Sequence, residues 1–479
     1  ATHDEPVAGN ALYGALARDG VSCAVCHHIA PEGLGQPSTF SGNFSLGPKD
    51  EIYGPFEKVA ALPMQNALGI KPKGDKLAAQ IKTSALCGSC HTIKLPVYDG
   101  NGKVLKEVYE QATYLEWLNS IYQNELKPSD ANIARTCQDC HMPKTYHGDT
   151  LAFRIANIED STFPDTDNRV PKSEITLEER KPYSRHTLAG VNVFALEMFQ
   201  QFPYILGLRT HDPMCPPDTQ ASLYTAENSS LELAQQETAS VAIESLLEHD
   251  QSLEAEVKIT NLAGHAFPSG VSFRRAFLEF QVLDDQGKTL WASGRTNAQG
   301  VILKGLTDQP LITEFFEPDA DGHPQYQRHH QSIDRDDQVQ IYEAVSLDPV
   351  GKHTTSFLSL HEHIKDNRLQ PRGWSPTGPY AEHTQPRGDA AQDPHYQDGS
   401  GTDVIRYQVP LKGLAAKPHK VVATLFYQSI PPYYLKQRFQ TTQGPDTRRL
   451  HFFATHLNLK GEPFENWKLP IQSAAKDVR

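Results

Sequence analysis

The sequence predicts an α+β, multidomain chain. A mainly helical and irregular domain is expected over residues 1–220, an antiparallel β-sandwich with long loops over 230–460, and a C-terminal tail over 461–479. Three observations predict this. Six of the seven cysteines fall before residue 142, in a stretch rich in Gly, Pro and short helical segments. After about residue 230 the texture changes to segments that alternate apolar and polar residues. Between the two, Pro213, Pro216 and Pro217 mark a linker. With 479 residues the chain exceeds one ordinary domain, and a hydrophobic content of 38% suffices for a core.

In chain order, Glu110–Tyr122 reads as a helix, with Leu115, Leu118 and Tyr122 on one face. Residues 150–183 are polar and carry several prolines, which predicts a long surface excursion. Phe194–Phe202 reads as a helix ended by Pro203. Strands are expected at Ala239–Leu247, Leu253–Thr260, Phe273–Leu283, Thr289–Gly294, Val339–Leu347, Thr354–Leu360, Asp403–Val409 and Val421–Gln428. Asp284-Asp-Gln-Gly-Lys288 is a hairpin signal between two of them. About eight strands with polar turns argue for the sandwich. Residues 361–402 read as a long loop, and Tyr433–Gln440 as a last helical piece.

The cysteines carry the chemistry. Cys23-Ala-Val-Cys26-His27, Cys87-Gly-Ser-Cys90-His91 and Cys137-Gln-Asp-Cys140-His141 repeat one pattern, C-x-x-C-H. This is the attachment pattern for c-type haem: two thiols become thioethers to the porphyrin, and the histidine becomes the proximal iron ligand. A zinc site has no reason to place His after every pair. A thioredoxin-like site needs one pair, and a disulfide framework would not repeat one local spacing three times. Three covalently attached haems c are therefore expected, and the N-terminal domain of the α+β fold is read as haem-packed. Such attachment takes place outside the cytoplasmic membrane, so a periplasmic or extracellular location follows, the cell surface included. The seventh cysteine, Cys215, reads as a buried or half-buried thiol.

Formal net charge is −13, which argues against a nucleic-acid partner. Mean hydropathy is −0.51, and no apolar run reaches the roughly 20 residues of a transmembrane helix. No leader precedes Ala1, which reads either as a mature N-terminus or as a chain that continues upstream.

Each low-spin iron needs a second axial ligand, usually a neutral imidazole. His186, in Arg185-His-Thr-Leu-Ala-Gly190, is the first candidate. His265, in Asn261-Leu-Ala-Gly-His-Ala-Phe-Pro-Ser-Gly270, is the second, on a loop at a strand end. His28, His147 and His3 complete the candidate set. Met64, Met142, Met198 and Met214 are read as packing residues or as turned away from iron.

The N-terminal part resembles the multihaem cytochromes related to the tetrahaem electron acceptor of hydroxylamine oxidoreductase. The matching stretches are Gly20–His27, Cys87–Thr92, Glu110–Ser120 and Cys137–Pro143. Gly264-His-Ala-Phe-Pro-Ser-Gly270 resembles the G-H-x-x-P-[ST]-G element of the β-domain attached to many such cytochromes. The resemblance implies distal ligation by His265 and by His186 of an R-x-H-x-x-x-G segment. Relatives of this kind often carry further haem motifs upstream of the position of Ala1. The expected function is electron transfer between redox proteins or cytochromes, with self-association into larger haem arrays as a further partner mode. The alternative is an oxidoreductase with one open iron acting on a small nitrogen or sulfur compound, with Arg209, His211 and Cys215 as its cluster. For the sandwich, the expected role is a cap that supplies His265, with docking to a partner as its alternative.

Overall fold

The computed structural model describes residues 21–57, 65, 69–146, 148–154, 179–206 and 223–478. By backbone contacts the chain divides into two compact units, Ala1–Cys90 with Arg135–Ala189, and His91–Ala134 with Gly190–Arg479. The division differs from the expected boundary near residues 220–230, because residues 91–134 join the second unit.

The first unit is built around three short helices: α1, Cys23–Cys26; α2, Ser84–His91, whose last residue opens the second unit; and α4, Cys137–His141. α4 starts on a capping box, with Thr136 accepting from the Asp139 N–H and Asp139 accepting from the Thr136 N–H. Sheet structure here is limited to short pairs such as Glu51–Tyr53 with Lys71–Lys73. Among the described residues its buried apolar side chains are few: Ile29, Ala30, Phe40, Tyr53, Ala78, Ala85 and Leu86.

The second unit opens with a hairpin, β1 (Thr92–Tyr98) and β2 (Val104–Ala112), followed by α3, Thr113–Leu118. The helix expected over Glu110–Tyr122 is thus shorter. Its first three residues lie in the β2 strand, because Val104–Ala112 pairs antiparallel with β1 across two bulges. α5 (Val193–Gln201) agrees with the expected helix and is N-capped by Asn192. It is followed by α6, Leu223–Gln236.

Two sheets follow. One has the order β7-β10-β4-β3, with β3 Ala239–Glu248, β4 Ser252–Asn261, β7 Ser332–Ile333 and β10 Thr402–Pro410. The other has the order β9-β8-β5-β11-β12, with β6 also on β5; these are β5 Arg275–Leu283, β6 Thr289–Ser293, β8 Ile341–Leu347, β9 Glu362–Asp366, β11 Lys420–Gln428 and β12 Leu469–Asp477. All pairings are antiparallel except the short β7–β10 contact. In β4 the buried positions alternate strictly: Leu253, Ala255, Val257, Ile259 and Asn261. The first four share one core with Ile405 and Val409 of β10, Leu278 and Phe280 of β5, and Val421 and Leu425 of β11. Phe280 and Tyr407 stack across this core at 4.0 Å. Each aliphatic side chain so buried contributes roughly 1.5–3 kcal/mol. These are the antiparallel sheets, beside helices, of the α+β class that the sequence predicts.

Three local expectations are corrected. Thr354–Leu360 is not a strand but contains a 3-10 turn at Phe357–Ser359. Thr355 is held there by Gln437 of α7 (Pro432–Thr441) rather than by a ladder. Residues 461–479 are no free tail, since β12 completes the larger sheet beside β11. The stretch 361–402 contains β9 and many buried side chains, Trp374 and Tyr396 among them. A further helix, α8 (Pro445–His456), was not anticipated. Of the 150–183 excursion, residues 155–178 lie outside the described residues.

Candidate haem-attachment sites

All three C-x-x-C-H repeats lie on helical turns, so the two thiols of each pair, three residues apart, share a face. Direct bonds lock the second and third of these turns together within the first unit. The Cys137 N–H donates to Ser84 Oγ at 3.1 Å, and Gln138 Nε2 donates to the carbonyls of Ile81 and Thr83. The Gly42 N–H donates to the Ser89 carbonyl, and Gln80 Nε2 to the Ile29 carbonyl. The third motif therefore docks on the first turn of the second. The thiols converge as well. A hydrogen bond between Cys87 and Cys137, then burial, pushes the Cys87 thiol far up. Burial, then Cys90 and Cys23, raises Cys26. All six motif cysteines are free of disulfides.

The histidines share one device. His27 Nδ1 donates to the Tyr53 carbonyl at 2.5 Å and His141 Nδ1 to the Ala189 carbonyl at 2.8 Å. A proton fixed on Nδ1 leaves the lone pair on Nε2, the arrangement that orients an imidazole towards a metal. Loop 184–189 is tied to the third motif, because Leu188 N–H and Thr187 Oγ1 both donate to the His141 carbonyl. His186 on that loop faces His27, with ring centres 6.3 Å apart and planes 28° from parallel. Two metal–imidazole bonds of roughly 2 Å, each with about 1 Å from nitrogen to ring centre, span about 6 Å. The separation of the ring centres matches two imidazoles on one iron, although the rings as placed are stacked rather than edge to edge.

His28 Nδ1 donates to the Ala24 carbonyl at 3.0 Å, while its Nε2 is buried with no hydrogen-bond partner. An orphaned buried imidazole nitrogen is costly and points to a ligand. The donor chemistry of the unit therefore fits c-type haem: paired thiols, a proximal imidazole after each pair, and further imidazoles set by backbone carbonyls. His3 and His147 lie outside the described residues, as do Arg209, His211 and Cys215.

In the second unit, His91 is exposed and immediately precedes Thr92, which is in register with Ala112 at the foot of α3. The 264–270 loop sits on that same helix. Glu116 accepts from the Ala266 N–H at 3.1 Å and from Ser269 Oγ at 3.3 Å, and Thr113 Oγ1 meets Ser269 Oγ at 2.9 Å. Arg368 closes the clamp with Nη1 2.9 Å from Glu116 Oε1. His265 Nδ1 donates to the Ala266 carbonyl at 2.9 Å. Gly264 is tightly packed and Gly270 needs its positive φ. A Cβ on Gly264 would stand 3.1 Å from Trp117 Cδ1, and Gly270 has φ +84°. The backbone thus carries His91 and the His265 loop to one end of the β1–β2 hairpin. Sequence reasoning missed Glu116, although a carboxylate on the apolar side of a short helix was its signal.

No protein-family model matches the chain, and no curated protein does. Among solved structures it is similar to a penta-heme cytochrome c552 from Thermochromatium tepidum, at 14% identity over 96% of this chain and 77% of that one, with a TM-score of 0.47. At this level of likeness no residue role transfers from that protein.

Proposed function

We propose that this chain is a multihaem c-type cytochrome that passes electrons between redox partners outside the cytoplasm. The observation that carries the reading is the placement of His186 opposite His27, at a spacing suited to bis-imidazole iron, beside the cysteine pair that precedes His27. Haem iron supplies a one-electron couple, with little rearrangement when six-coordinate. Cys23 and Cys26, Cys87 and Cys90, and Cys137 and Cys140 would anchor three groups, and His27, His91 and His141 would each hold an iron. His186 serves the first. His265 serves the second, because the β1–β2 hairpin and α3 bring its loop to the His91 end. His28, with its orphaned Nε2, and His147 and His3 are the candidates left for the third. The carbonyls of Tyr53 and Ala189 hold His27 and His141 in the ligating tautomer.

The proposed location is the periplasm or the cell exterior, where thioether attachment takes place. Among the described residues no helix is long and apolar enough to cross a membrane. Other cytochromes or redox proteins are the proposed partners, with self-association into haem arrays as a further mode. The finer family reading, kinship with the tetrahaem acceptor of hydroxylamine oxidoreductase, rests on the quoted motifs.

A pyridine haemochrome assay of the purified chain is expected to give three haems c per polypeptide. Electron paramagnetic resonance is expected to show low-spin iron alone. His186→Met replaces one imidazole by a thioether and raises one haem's potential. If that substitution leaves every haem unchanged, the assignment of His186 fails. A high-spin signal that responds to nitrite would instead favour the oxidoreductase reading.

A further inference from the structure

The second unit buries another set of donor side chains that electron transfer does not use. His329, Asp393 and Asp403 each offer one ligand atom, and the three atoms lie within 4.8 Å of one another. The side chains of His329 and Asp393 are 1% and 0% exposed, and Asp403 is fully buried. They come from distant parts of the chain. His329 precedes β7, Asp393 caps the 3-10 turn Pro394–Tyr396, and Asp403 stands on the inner face of β10 beside Ile405 and Tyr407.

The polar atoms around them are almost fully assigned. His329 Nε2 is 2.8 Å from Asp393 Oδ2. Gln340 Nε2 donates to Asp403 Oδ2 at 2.8 Å and lies 2.9 Å from His329 Nδ1. Tyr342 donates its hydroxyl to the same Asp403 oxygen at 2.9 Å. Asp403 Oδ1, by contrast, is buried without a hydrogen-bond partner. Charge is out of balance too. The buried basic groups of this unit already have acids: Arg275 has Glu314, Lys365 has Glu343, and Arg368 has Asp366 and Glu116. Two buried aspartates therefore face one buried imidazole, His329, with the half-exposed His395 ring beside Asp393 alone. A buried carboxylate with an unfilled oxygen and no cation is strongly unfavourable.

We propose that His329, Asp393 and Asp403 bind one zinc ion. One imidazole nitrogen with two carboxylate oxygens is a donor set for a borderline first-row metal. Calcium and magnesium ask for more oxygens than this site supplies. On binding, the ion replaces the proton between His329 and Asp393, that proton leaves to solvent, and Asp403 Oδ1 gains its partner. His395 provides the way in: its side chain is 37% exposed and its Nδ1 stands 3.2 Å from Asp393 Oδ1. Such an ion ties β10 to the 329 and 393 segments.

The test uses the full chain with its haems, produced in zinc-supplemented medium and freed of loose metal on a chelating resin. Elemental analysis is expected to find one zinc per chain beyond the haem iron. Zinc-edge X-ray absorption is expected to show nitrogen and oxygen neighbours only. Asp403→Asn and His329→Gln are expected to lose the zinc while the haem absorption spectrum stays that of the parent. Absence of zinc from the parent chain overturns the proposal, as does sulfur in the zinc shell or full retention of zinc by both variants. The parent's stoichiometry and edge spectrum decide the matter even where a variant fails to fold.

Discussion

At the scale of single residues, Glu110 shows what a buried carboxylate does without a full set of partners. It sits on β2, 6% exposed, and its Oε1 has no hydrogen-bond partner. Burial pushes its pKa up to about 7, with Arg274 pulling only partly the other way. The folded state therefore holds this proton more tightly than the unfolded chain, whose glutamate titrates near 4.5. The proton stabilises the fold fully below about 4.5, and that stability is lost as pH rises towards about 7. Glu110→Gln should remove this slope and raise stability at pH 8 by about 1–3 kcal/mol. Chemical denaturation of both proteins at pH 5 and pH 8 checks it; equal slopes would rule the idea out. Individual residues differed in how far the sequence disclosed them. The motif cysteines stand out because their chemistry is local to five residues. Asp403 was readable in principle, as a charge in phase with the apolar positions of its strand. Its partners His329 and Asp393 are far from it along the chain, so only the fold unites them.

At the scale of elements, the clamp between α3 and the 264–270 loop carries most of the local order. Glu116 is 1% exposed and binds the Ala266 N–H, the Ser269 hydroxyl and the Arg368 guanidinium. Glu116→Ala orphans the Ala266 N–H and takes one of two partners from Ser269 and Arg368, and should cost about 1–3 kcal/mol. The same change should broaden or shift the spectrum of one haem, because the loop that presents His265 loses its anchor. Glu116→Gln retains acceptor geometry and should restore much of the spectrum but less of the stability. Equal melting temperatures for parent and Glu116→Ala would refute the clamp. Legibility followed periodicity here. β4, β10 and β11 alternate cleanly, and their positions were plain in the sequence. β12 reads Leu-Pro-Ile-Gln-Ser-Ala-Ala-Lys-Asp, with few branched residues, and is a strand only because β11 offers an open edge. The leucines of Glu110–Tyr122 do lie on a helical face, but pairing with β1 claims the first residues. In these places tertiary context overrides local preference.

At the scale of the whole molecule, the two units differ in what holds them together. The second unit contains the large core shared by its two sheets and two smaller apolar clusters around Phe277 and Phe316. Among the described residues, the first unit buries only a handful of apolar side chains, and hydrogen bonds tie its third motif helix to the second. Such a unit cannot offset its chain entropy of roughly 1–2 kcal/mol per residue with apolar burial of that size. Covalently bound prosthetic groups would supply the missing apolar surface and crosslink each helix, as structural metals do in small domains. A chain produced without haem attachment, with all six motif cysteines changed to alanine, should therefore keep one unit and lose the other. Hydrogen exchange followed by mass spectrometry should find 239–261, 275–283 and 402–428 protected much as in the parent. Residues 21–57, 69–90 and 135–154 should exchange near the rate of an unfolded chain. Protection of those segments equal to the parent's would mean that the first unit folds on its own side chains, and the haem-packed reading of it would be wrong.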